Sequence, residues 1–235
     1  AFEACKIALE HMTPVIFLSD GFLANGAEPW KFPNEAELPS INIKIAEEKD
    51  LDEKGEFMPY KRDGDLVRRW ALPGMKGFEN RIGGLEKENL TGNVSYDPEN
   101  HQLMSDIRAE KVEKIKDFIP VQELDSGSKE DDMLLVGWGS TYGVLKTASQ
   151  ELRNEGLKVA HLQIKYLNPF PKGLKELLRA YDKIVVVENN KGQLEKILRS
   201  TFNINVIAFN KITGLPFGIG EIKEKVYALK ETVNA

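Results

Sequence analysis

Three short stretches carry residue types whose spacing could do chemistry. Gly137-Trp138-Gly139-Ser140-Thr141-Tyr142-Gly143 has a GxGxxxG spacing. Glycines so placed let a backbone approach a phosphate, and a following helix would offer it free N–H groups. Tyr166-Leu167-Asn168-Pro169-Phe170-Pro171 and Glu188-Asn189-Asn190-Lys191-Gly192-Gln193 add side-chain amides. A strand-end crevice using Gly137, Gly139, Ser140, Thr141, Asn168 and Asn190 would therefore bind a nucleotide. The pattern is incomplete. A dinucleotide site wants an acidic residue near the end of the second strand to hold the ribose, and Tyr166, Leu167 and Asn168 stand there. The plainer reading is a tight turn in which Ser140 or Thr141 caps a helix.

Other chemical signatures are incomplete or missing. Asp20-Gly21 and Asp63-Gly64-Asp65 fall short of the Gly-Asp-Gly, followed downstream by Asn, that holds magnesium and diphosphate in thiamine enzymes. Both read as turns. There is no Gly-Lys-Ser/Thr loop and no GxSxG elbow. His11, His101 and His161 lie far apart, without HxxxH or HExxH spacing. Cys5 is the one cysteine, which excludes a disulfide framework and falls short of the four thiolates of a usual iron–sulfur cluster. Its neighbours Ala4, Ile7 and Ala8 make it read as a buried structural thiol. No catalytic residue and no metal ligand is assigned.

The elements that would position these stretches are clearest after residue 130. Met133–Val136 reads as a strand, then a helix with Val144, Leu145, Ala148 and Leu152 on one face ends near Gly156. The strands 158–165, 184–187 and 205–209 follow. Helices carrying Leu174, Leu177, Leu178 and Tyr181, then Leu194, Ile197 and Leu198, then Ile222, Val226 and Leu229 alternate with them. Such alternation predicts an α/β domain with a mainly parallel sheet.

Upstream the pattern is less regular. Phe2, Cys5, Ile7, Ala8 and Met12 fall on a helical stripe, and Val15-Ile16-Phe17-Leu18 reads as a strand buried on both faces. Residues 25–100 are rich in Pro, Gly and aromatics without sustained periodicity, which suggests a wrapping or interface segment. Leu103, Ile107, Val112, Ile115 and Ile119 predict a helix over 101–119. Hydrophobic residues make up 41% and the net charge is -5, ordinary for a soluble globular protein and adverse to general nucleic-acid binding. With no membrane-length apolar run and no visible signal peptide, the expectation is a cytoplasmic protein with no membrane partner.

Ser19-Asp20-Gly21-Phe22-Leu23-Ala24-Asn25-Gly26-Ala27-Glu28-Pro29-Trp30 closely resembles a stretch in alpha subunits of 2-oxoglutarate (2-oxoacid):ferredoxin oxidoreductases. So do Gly83-Gly84-Leu85-Glu86, the run 91–101 from Thr91-Gly92-Asn93 to Asn100-His101, and the segments 137–143 and 166–171. The resemblance implies an enzyme that oxidatively decarboxylates a 2-oxo acid, acylates coenzyme A and reduces ferredoxin. Its complex would use thiamine diphosphate, magnesium and an iron–sulfur cluster held on a beta subunit, with no cofactor bound by this chain. Residues 1–24 would be the tail of a truncated pyrimidine-binding domain. Residues 25–119 would be the irregular interface segment. Residues 120–235 would form a three-layer αβα transketolase-C-like domain, its five-stranded sheet including one antiparallel edge strand at 120–124. The chain would then be a C-terminal portion, inactive alone and packing against other subunits. Residues 1–24 would be disordered, rebuilt on the second domain, or paired with another copy. The alternatives are a free-standing flavodoxin-like nucleotide- or protein-binding module, or the C-terminal domain of another thiamine enzyme.

Overall fold

A computed structural model describes residues 1–231 of the chain, which divides into two compact units. The first comprises Ala1–Phe17 and Pro29–Phe118; the second comprises Leu18–Glu28 and Ile119 onward.

The second unit is the α/β domain. Its strands are β1 (Met133–Trp138), β2 (Val159–Ile164), β3 (Ile184–Glu188) and β4 (Ile207–Asn210). Helices α4 (Tyr142–Asn154), α5 (Leu174–Arg179) and α6 (Gln193–Phe202) connect them, and α7 (Ile219–Glu231) follows β4. The sheet order is β2-β1-β3-β4, and every pairing within it is parallel. Successive side chains of a strand point to opposite faces, so each strand feeds two cores. Leu134 and Val136 pack with Leu162, Leu174 and Leu178 on one side. Leu135 packs with Leu145, Leu152, Ile222 and Val226 on the other. Burial on both faces explains why β1 and β3 read as unbroken apolar runs. Each buried Leu or Val contributes about 1.5–3 kcal/mol.

The sheet has four strands, not five. Segment 120–124 forms no ladder, and the antiparallel contact on that edge of β2 is a single bridge just beyond it, Ser126 with His161. The reason is that side chains take the edge groups a strand would need. Gln163 N donates to Asp125 Oδ2, and Gln122 Nε2 donates to Gln163 O. Pro120 has no N–H to add.

In the first unit, α1 (Phe2–His11) and α3 (Pro98–Lys114) flank a long non-helical stretch joined by isolated bridges. The family-like run 91–101 ends in the first turn of α3. Asp97 caps it by accepting from Glu99 N, and Pro98 supplies the first turn. Asn100 then holds the preceding loop, accepting from Asn89 N and donating to Lys87 O. Glu86 contacts His101 and Arg108. The buried face of α3 therefore includes Asn100 and Met104, with Ile115 buried just beyond its end, while Leu103 is exposed.

Two expectations for the first residues are corrected. Val15–Leu18 pairs with no strand, and Ile16 is 83% exposed. Cys5 is exposed, because α1 turns His11 inward instead, against the Phe118 ring. Helix α1 is neither disordered nor rebuilt on the α/β domain. Trp70 Nε1 donates to Leu9 O, Lys111 Nζ to Met12 O, and Asn42 N to Glu10 Oε1, all within the first unit. Only the stretch Leu18–Glu28, with the short helix α2 (Gly21–Asn25), joins the second unit.

Candidate functional site

In a parallel sheet of order 2-1-3-4, connections leave β1 and β3 in opposite directions. The crevice between their carboxyl ends is where a ligand would bind. Here the crevice holds Trp138, the turn Gly139–Thr141, Glu188 and Asn190.

Glu188 dominates it. The residue ends an apolar strand and is fully buried. Its Oε1 accepts from Trp138 Nε1 at 3.1 Å, Asn190 Nδ2 at 3.0 Å and Leu194 N at 2.9 Å. Its Oε2 accepts from Glu195 N at 3.0 Å. Leu194 N and Glu195 N are first-turn amides of α6, which have no partner inside their own helix. A bound phosphate would sit at such amides. In this chain the carboxylate already occupies that position. Asn190 closes the neighbouring groups: its Oδ1 accepts from Gly192 N at 2.7 Å and Gln193 N at 3.1 Å.

The β1 turn is equally committed. Thr141 Oγ1 exchanges hydrogen bonds with Trp138 N and O. Gln163 Nε2 donates to Gly139 O. Ser140 bonds the Asp20 carboxylate, which with Leu23 N holds that carboxyl below its usual range. The family-like segment around Asp20 thus rests on the β1 turn. Asn168 is exposed and lies after β2, apart from these contacts. The structure places Gly137, Gly139, Ser140, Thr141 and Asn190 at adjoining strand ends and gives the last three internal partners. Sequence reasoning did not single out Glu188 or Trp138. The available signal was a lone carboxylate ending the run Ile-Val-Val-Val and followed by Asn-Asn.

Another polar group lies inside the sheet. His161 on β2 is fully buried, and neither ring nitrogen has a hydrogen-bond partner; Gln163 Oε1 is likewise without one. The Tyr142 ring lies 5.9 Å away. Burial, assisted by Lys146, pushes the imidazole below its usual pKa, while the Asp125 charge opposes this in part. Below the unfolded value near 6.5 the unfolded chain binds a proton that the folded chain refuses, so stability falls as pH falls. His161→Leu removes that proton. Urea unfolding of the second unit at pH 7.5 and 5.0 should show the parent losing more than the variant, by up to about 1.4 kcal/mol per pH unit. Equal losses in both would refute this role for His161.

Among the described residues no helix is long and apolar enough to cross a membrane, and no group of three or more His, Cys, Asp or Glu could hold a metal ion.

Comparison with known proteins gives a consistent set of relatives. Residues 131–228 match the family described as pyruvate:ferredoxin oxidoreductase core domain II. The chain is 45% identical to 2-oxoglutarate oxidoreductase subunit KorA of Mycobacterium tuberculosis, over 94% of this chain and 33% of that protein. It is 31% identical to the alpha subunit of 2-oxoacid:ferredoxin oxidoreductase 2 of Aeropyrum pernix, over 99% of this chain and 36% of that one. Among solved structures, 2-oxoglutarate:ferredoxin oxidoreductase from Magnetococcus marinus, with 2-oxoglutarate, coenzyme A and succinyl-CoA bound, superposes with a TM-score of 0.83. The two are 31% identical, over 95% of this chain and 38% of that one. The chain spans about a third of the length of the curated relatives it matches.

Proposed function

This chain is a homologue of 2-oxoglutarate:ferredoxin oxidoreductase alpha subunits, and from that we propose that it forms the C-terminal portion of such a subunit, with a structural and subunit-interface role. The observation that carries the proposal is the 45% identity over 94% of the chain. The whole enzyme would oxidise 2-oxoglutarate to an acyl-CoA and pass the electrons to ferredoxin, in a cytoplasmic complex with a beta subunit. Thiamine diphosphate would supply the carbon chemistry there. The residues of this chain fit neither thiamine diphosphate with its magnesium nor an iron–sulfur cluster. The Gly-Asp-Gly pattern is absent, and one cysteine falls short of the thiolates a cluster takes.

The closed crevice supports a non-catalytic role. An α/β domain whose strand ends are filled by Glu188 and Asn190 offers no free helix terminus at α6 for a substrate or phosphate. The irregular segment of residues 25–119 would lie on the remainder of the subunit or on the beta subunit. Its exposed Trp30 and Phe32 are suited to burial there.

The test is reconstitution. Full alpha subunit containing this chain, combined with beta subunit, should reduce a viologen dye when given both 2-oxoglutarate and coenzyme A. The chain alone should not. Activity with a different 2-oxo acid only would reassign the substrate. Dye reduction by the chain alone would overturn the structural role.

A further inference from the structure

Arg62 and Arg68 stand directly opposite each other across an antiparallel bridge that closes the Asp63–Val67 turn in the first unit. Like charges in that arrangement repel and destabilise the pair. Both guanidinium groups lie near the Tyr60 ring, at 5.8 and 4.2 Å from its centroid. Lys111 lies on α3, the helix whose Met104 Sδ accepts from Arg62 and whose Lys114 donates to Gly64 O in the turn, and the charges of both arginines act on its ammonium. All three side chains are half-buried.

Their hydrogen bonds go to neutral acceptors. Arg62 donates to Asn89 Oδ1 and Met104 Sδ, Arg68 to Pro59 O, and Lys111 to Met12 O. Asp63, the carboxylate whose charge acts on Lys111, is committed. It pairs with Lys44 and accepts from the turn amides of Asp65 and Val67. Asp65 also faces Lys44, and Arg108, a fourth cation near Arg62, pairs with Glu86. Burial, then Arg68 and Arg62, pull Lys111 down to about 8, against a smaller opposing effect of the Asp63 charge. Arg62 also lines a cavity of about 210 Å³ with Phe57, Met58, Lys61, Arg69 and the carboxylates of Asp50 and Asp63, of which Asp50 pairs with Arg69 and Asp63 with Lys44. Half-buried cations without a counter-charge are costly, so this arrangement calls for an anion.

We propose that Arg62, Arg68 and Lys111 form a binding site for a phosphate group. A single carboxylate would leave most of the local positive charge unbalanced, whereas a phosphate dianion matches two guanidinium groups and an ammonium.

The experiment is thermal unfolding of the whole chain with inorganic phosphate, glycerol phosphate or malonate, each against sodium chloride of equal ionic strength. Phosphate should raise the midpoint saturably in the parent. Arg68→Gln relieves the cross-strand repulsion, so it should fold at least as well in chloride and lose most of the phosphate response. Its apparent Kd should rise about tenfold or more. Lys111 provides an independent readout. Phosphate opposes the loss of its proton, so labelling by an amine reagent at pH 8 should slow about fivefold. A response to glycerol phosphate equal to that of phosphate assigns the site to phosphate esters as well; a response to phosphate alone assigns it to the free ion. Three results overturn the proposal: no saturable shift beyond chloride, an unchanged response in Arg68→Gln, or a stronger response to malonate than to phosphate.

Discussion

Glu188→Ala should destabilise the second unit by about 3 kcal/mol or more. The substitution leaves the Trp138 indole N–H and the Leu194 and Glu195 amides without the acceptor they have in the folded chain. Each buried donor left unpaired costs about 1–3 kcal/mol. Domains of this kind are stable by only about 5–15 kcal/mol, so the variant should unfold at a clearly lower urea concentration. The same geometry predicts a rescue. With the carboxylate gone, the α6 amides become an anion site. Sulfate should then stabilise Glu188→Ala more than it stabilises the parent, beyond its general salting effect. Glu188→Gln keeps an oxygen for Trp138 and Leu194 but turns an amino group toward Glu195 N or the reverse. It should cost about 1 kcal/mol and show little rescue. An unfolding midpoint for Glu188→Ala indistinguishable from the parent would dispose of the idea that this carboxylate closes the crevice.

That prediction also marks where the sequence was legible and where it was not. The alternation of strands and helices after Met133 could be read because each element buries an unbroken apolar face: Leu134 and Val136 point one way, Met133 and Leu135 the other. The edge next to β2 was not legible. There Asp125 and Gln122 supply side-chain oxygen and amide groups where a strand would have used its backbone, and no periodicity records such a substitution. Helix α3 shows the same difficulty. Leu103 looks like its core residue, but the inward face is set by Asn100, which ties down the loop 87–89, and so Met104 is buried instead. Lys111 lies one turn before Ile115 on that side, where hydrophobicity alone would not place it. Glu188 escaped notice for a related reason. Its importance lies in four hydrogen bonds made by residues 2 to 50 positions away, and only the fold brings those donors together.

The glycines of the β1 turn separate the two readings of GxGxxxG, because each should respond differently to alanine. At Gly137 a Cβ would lie 2.4 Å from Leu145 Cδ1, 2.6 Å from Thr141 Oγ1 and 2.9 Å from Gln163 Oε1. Leu145 is fully buried and Thr141 is bonded to the turn, so neither can withdraw freely. Overpacking of this kind costs about 1–3 kcal/mol, and Gly137→Ala should fall near the upper end. At Gly139 there is open space, but φ is +58, a conformation that disfavours a side chain; Gly139→Ala should cost about 1 kcal/mol. Gly143 is in the first turn of α4 with nothing within 4 Å of a Cβ, so Gly143→Ala should be neutral or stabilise by about 0.5 kcal/mol. A phosphate-cradling turn makes no such ranking, since its glycines serve backbone approach to a ligand. Urea unfolding of the three variants decides the matter. Losses ordered Gly137, Gly139, Gly143 mean that helix α4 packs on β1 through the first glycine and turns at the second. Equal stabilities, with loss of nucleotide binding instead, would restore the phosphate reading to this crevice.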